Sequence, residues 1–113
     1  MEKFKGTIVE ESLIDNRVIN DFEIVGSRIS KDENPADRWH LYTVLVSRED
    51  IEKLYQNIKP KWYMHFWQGR DIIAIFQGQK FEFNYDDKTS WEPAINFGLS
   101  IGIPKEQLDF LID

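Results

Sequence analysis

The sequence contains no cysteine. That absence removes a disulfide framework, a thiolate metal site and a cysteine nucleophile. Positive charge is also scarce: fourteen Lys and Arg stand against twenty Asp and Glu, for a formal charge of −6. Phosphate backbones are met by positive surfaces, so no nucleic-acid partner is expected. A basic or apolar partner fits the sign better, and plain solubility accounts for it as well. Apolar runs last only a few residues, far short of the roughly 20 that a membrane-spanning helix needs, so no membrane is expected. The opening Met1-Glu2-Lys3-Phe4-Lys5-Gly6 has no apolar leader core, and the expectation is a cytoplasmic protein.

What is present in quantity is aromatic surface. Of 113 residues, 14% are Phe, Trp or Tyr, enough large side chains for a compact core or an adhesive interface. The length predicts one domain over residues 1–113, with no repeat or linker. The polar, aperiodic segment Ser30 to Arg38 contains Asn34-Pro35 and reads as a surface loop.

Gly6 to Glu10 and Phe22 to Ile29 read as strands, with an ambiguous helical or irregular stretch from Leu13 to Asn20 between them. Trp39 to Val46, rich in β-branched and aromatic residues, is a third strand. Ser47 then caps a helix whose apolar face is Ile51, Leu54, Tyr55 and Ile58, at i, i+3, i+4, i+7. A three-stranded meander is predicted over 62–67, 71–77 and 80–85, with Gly69 and Gly78 each opening a type II′ turn. A second helix is capped at Thr89 or Ser90, turns Trp91, Ile95, Gly98 and Leu99 inward, and stops at Gly102. A short helical turn from Pro104 to Phe110 follows, anchored by Leu108, Phe110 and Leu111. The expected fold is α+β: an antiparallel sheet of about five or six strands, two main helices packed on one face, and a short C-terminal helix.

The meander's last strand alternates, with Phe81, Phe83 and Tyr85 opposite Glu82 and Asn84, and so predicts one dry and one wet face. Its first two strands do not alternate. Trp62, Met64 and Phe66 oppose Tyr63, His65 and Trp67, and Ile72, Ala74 and Phe76 oppose Ile73 and Ile75. Both faces are apolar and both need covering, either by this chain or by a partner, most simply a second copy.

Catalytic signals are thin. His40 and His65 sit in aromatic strands and are the candidates for acid or base work, with Glu82, Glu92 or Asp109 as a carboxylate partner; nothing in the spacing ties either to a nucleophile or base, and half-buried strand histidines bonded to backbone are the favoured reading. No metal is expected, since two His with neither H-x-H nor H-E-x-x-H make no ligand set. Phosphate-cradling glycine motifs and a nucleophile elbow are absent, and no cofactor is expected.

The run Gly98-Leu99-Ser100-Ile101-Gly102-Ile103-Pro104-Lys105-Glu106-Gln107-Leu108-Asp109-Phe110 resembles the ending of an uncharacterised family of small bacterial and archaeal α+β proteins. Trp62-Tyr63-Met64-His65-Phe66-Trp67 is similar to that family's middle. The resemblance covers the C-terminal half and implies a recurring domain, with no activity, cofactor or site residue attached.

The leading expectation is a non-catalytic protein-binding or self-associating module, a possible homodimer, using Trp62, Tyr63, His65, Trp67 and Trp39. Two alternatives stand beside it: a small enzyme using His65 or His40 in an aromatic pocket, and an acidic inhibitor or immunity-type protein that caps a basic partner.

Overall fold

A computed structural model describes residues 3–31, 33, 34, 36, 38–110 and 112. Six strands form one sheet: β1 (Phe4–Val9), β2 (Glu23–Ile29), β3 (His40–Val46), β4 (Tyr63–Gln68), β5 (Asp71–Phe76) and β6 (Gln79–Asn84). The order across the sheet is β2-β3-β1-β4-β5-β6, and every neighbouring pair is antiparallel. Helix α1 (Arg48–Tyr55) joins β3 to β4, and helix α2 (Glu92–Ser100) follows β6. The α+β expectation and the C-terminal meander therefore hold. The ambiguous stretch before β2 resolves into 3-10 turns at Glu10–Ser12 and Asn16–Asp21. Asp32, Pro35 and Asp37 of the polar loop, and Leu111 of the C-terminal anchor, lie outside the described residues.

The helices do not share a face, as expected from sequence; they lie on opposite faces. Ile51, Leu54 and Ile58 of the α1 region pack with Phe4, Ile8, Val44, Val46, Met64, Phe66, Ile73 and Ile75. Trp91 and Ala94 of the α2 region pack with Ile72, Ala74, Phe76, Phe83, Leu108 and Phe110 on the other side. The reason is the doubly apolar β5, whose residues Ile72 to Phe76 are all buried. Each Ile or Phe among them contributes roughly 1.5–3 kcal/mol when fully buried, so neither face of β5 can be left wet. The covers demanded by the sequence come from the chain itself at β4 and β5.

Local chemistry explains the elements and three departures. Ser47 accepts a hydrogen bond from the Asp50 N–H while the Asp50 carboxylate accepts one from the Ser47 N–H, a complete capping box for α1. Gly69, at φ 60°, is the first central residue of the β4–β5 turn as expected, since Gln68 pairs with Asp71. Between β5 and β6, Phe76 pairs with Gln79, so Gly78, at φ 83°, is the second central residue and a type II′ turn is not formed there. Neither Thr89 nor Ser90 caps α2. A 3-10 turn at Lys88–Trp91 precedes the helix, and the Ser90 hydroxyl donates instead to the Asp87 carbonyl, at 2.5 Å. The inward stripe of α2 is Trp91, Ala94 and Gly98, which leaves Leu99 on the solvent side.

Candidate functional site

The second core cluster contains no residue of β1, β2 or β3. The cover formed by α2 and the C-terminal segment thus ends along β4, and a cleft opens where it stops. Its volume is about 340 Å³, and its walls include Thr7 and Val9 from β1, Tyr63 and His65 from β4, Trp39, Lys61 and Trp62 from the strand approaches, and Ile103 and Gln107 from the C-terminal segment.

Strand periodicity aims these side chains. Thr7 and Val9 alternate with the core-facing Phe4 and Ile8, and Tyr63 and His65 alternate with Met64 and Phe66. The Tyr63 hydroxyl donates to the Gln107 carbonyl, which ties the C-terminal wall to β4. Burial, then the nearby Asp109 carboxylate, push the Tyr63 phenol far above its usual range, so it stays a neutral donor. Trp39 meets Trp62 edge-on with ring centroids 5.1 Å apart. The Trp39 N–H donates to Ser30 Oγ at 2.7 Å, and its carbonyl accepts from the Ser30 N–H at 2.9 Å, so this ring stands on a fixed backbone. Lys61 holds φ 66°, the left-handed region that a non-glycine residue rarely occupies. Lys61 was not singled out by sequence, because its placement depends on the turn after Pro60.

Of the five binding candidates, Trp39, Trp62, Tyr63 and His65 line this one cleft. Trp67 does not line it; its ring lies 5.3 Å from that of His65 and packs against the second core. His65 is also edge-on to Phe110 at 5.7 Å. Glu82 is brought to neither histidine. It is across from Ile73, on the α1 side of the sheet, with an ion pair to Arg48 at 3.0 Å.

His40 is in a different place. Its Nδ1 lies 2.7 Å from Glu11 Oε2, and its backbone N–H donates to Glu11 Oε1 at 2.8 Å. Tyr42 donates to the adjacent Glu10 at 2.9 Å. The hydrogen bond that His40 donates to the Glu11 carboxylate lifts its imidazole above the usual range. For Glu11, partial burial pushes the carboxyl up, but the hydrogen bonds from His40 outweigh it and hold the group below its usual range. The pair is partly exposed and fastens the turn after β1 to the start of β3. Among the described residues no group of three or more His, Asp or Glu is arranged to hold a metal, and no helix is long and apolar enough to cross a membrane.

No family model, no curated protein and no solved structure matches the chain.

Proposed function

We propose that the protein is a non-catalytic binding module whose aromatic cleft docks a segment of a partner protein: a large apolar side chain with a carboxylate beside it. Self-association, through a surface other than the cleft, and a cytoplasmic setting are proposed beside it. The observation that carries it is the convergence of Trp39, Trp62, Tyr63 and His65 on one cleft of about 340 Å³. That volume lies at the small end of ligand-sized pockets and suits one or two side chains. Rigid rings supply large contact area at low entropic cost, which is why Trp and Tyr anchor interfaces. Lys61, the one lysine among the described lining residues, gives the site an ammonium that selects a flanking carboxylate. The C-terminal resemblance noted from sequence contributes no residue role to this reading.

Selection from a displayed library of random peptides, followed by titration of the chosen peptides against the whole protein, tests it. Expected are sequences sharing an apolar–acidic core, which change Trp fluorescence and bind at least tenfold more weakly to Trp39→Ala and Lys61→Glu, both folded by circular dichroism. Failure to enrich any peptide, or binding indifferent to both substitutions, overturns it.

A further inference from the structure

The two ends of the sheet are finished differently. The outermost strand β6 presents Lys80 and Glu82, each held in an ion pair to α1, through Glu52 and Arg48. Charges of this kind blunt a sheet edge. The other outermost strand, β2, pairs among the described residues with β3 alone, and six of its seven residues are exposed. It carries three large exposed apolar side chains, Ile24, Val25 and Ile29, at 45%, 50% and 56% exposure. Strands this apolar with an open row of N–H and C=O groups are templates for further pairing.

A bulge at Val25 shifts the β2–β3 register between Ile24 and Gly26. The shift changes which residues share a face. Ile24, Ser27 and Ile29 pair with Val44, Tyr42 and His40, and so point to the α1 side; Glu23, Gly26 and Arg28 pair with Leu45, Thr43 and Leu41, and point to the other. Directly opposed residues of antiparallel strands must point to the same side. For two copies of β2 related by a twofold axis, one arrangement satisfies this for the residues paired with β3 on both sides of the bulge: Glu23 opposite Arg28 and Ile24 opposite Ser27, in both directions, which sets the bulged Val25 opposite Gly26. Without the bulge, every one of those pairs would put its side chains on opposite faces. The same register sets the Glu23 carboxylate against the Arg28 guanidinium of the other copy twice, and places the small Gly26 where Val25 needs room.

We infer that the occupant of the β2 edge is a second copy of this chain, paired antiparallel about a twofold axis to make a continuous sheet. The surface is separate from the cleft, so the pairing stands or falls independently of what the cleft binds.

Sedimentation equilibrium of the full chain tests the pairing, with folding checked by circular dichroism. The wild type is expected to dimerise. Arg28→Glu sets like charges opposite each other twice and should weaken the dimer at least tenfold. Glu23→Arg alone should do the same, and the double variant E23R/R28E should restore wild-type association. A wild type that stays monomeric at the highest soluble concentration overturns the inference. So does a dimer unaffected by either single reversal, or one that Trp39→Ala abolishes while Arg28→Glu does not.

Discussion

Gly6 lies directly across from Phe66 in the β1–β4 ladder, and a methyl group on Gly6 would sit 2.3 Å from Phe66 Cδ1 and 2.8 Å from the His65 carbonyl oxygen. The contact includes backbone, so no rotamer change relieves it. It is also where the two halves of the sheet join, since β1 and β4 are registered only at Lys5–Trp67 and Gly6–Phe66. Gly6→Ala is expected to destabilise the fold by about 1–3 kcal/mol, the range for overpacking a tight core. Urea denaturation checks this; a midpoint unchanged from wild type means that the strands separate without cost.

Phe110 is the hub of the second core. It is fully buried and meets Tyr63, Phe83, Trp91 and His65 edge-on at 5.0–5.7 Å. It is held at φ 43°, a conformation that packing on this scale offsets. Phe110→Ala is expected to cost about 3–5 kcal/mol. Leu99→Ala, on the exposed side of α2, should stay within about 0.5 kcal/mol. Thermal melts of the two variants compare them, and equal losses refute the assignment of faces on α2.

The His40–Glu11 pair gives stability a pH dependence of definite sign. His40 titrates above its ordinary 6.5 in the folded chain, so its contribution is complete below that value and fades as pH rises through the folded one. Glu11 titrates below its ordinary 4.5, so its contribution is complete above that value and fades as pH falls through the folded one. The stability difference between wild type and His40→Gln is therefore expected to be greatest between pH 4.5 and 6.5 and to shrink on either side. Denaturation series across pH measure it. A difference that does not vary with pH means the pair contributes nothing.

Lys61 separates folding from binding. An L-residue in the left-handed region costs roughly 1–2 kcal/mol, and glycine avoids that cost while losing more chain entropy. Lys61→Gly is expected to be neutral or to stabilise by up to about 1 kcal/mol. The same change removes the rim cation, so binding of acidic peptides in the cleft should fall while the melting temperature does not. Destabilisation beyond about 1 kcal/mol would mean that the lysine side chain holds the turn together.

Much of the architecture was legible because it follows from local periodicity. The alternation in Phe81 to Tyr85 reads directly as one wet and one dry face, and Ser47 with Asp50 reads as a helix start. Less legible were features decided by what lies opposite. The cap of α2 moved because Ser90 finds the backbone carbonyls of Asn84 and Asp87 closer to hand. Leu99 turned outward because Trp91, Ala94 and Gly98 set the helix's rotation, with Gly98 close against Leu108. The aromatic residues of the cleft could be named from sequence, but the exclusion of Trp67 and the part of Lys61 could not.

By itself the sequence determined that β4 and β5 form a sheet whose two faces must both be dry, since side chains alternate with period two and both sets are apolar. Only the tertiary structure decided what dries them, and where the cover runs out. Whether a helix crosses over or under a sheet depends on long-range packing of one apolar surface on another, which no local pattern encodes. The cleft beside His65 is a consequence of that choice, and the bare edge at β2 follows from the strand order, which is likewise set by long-range pairing.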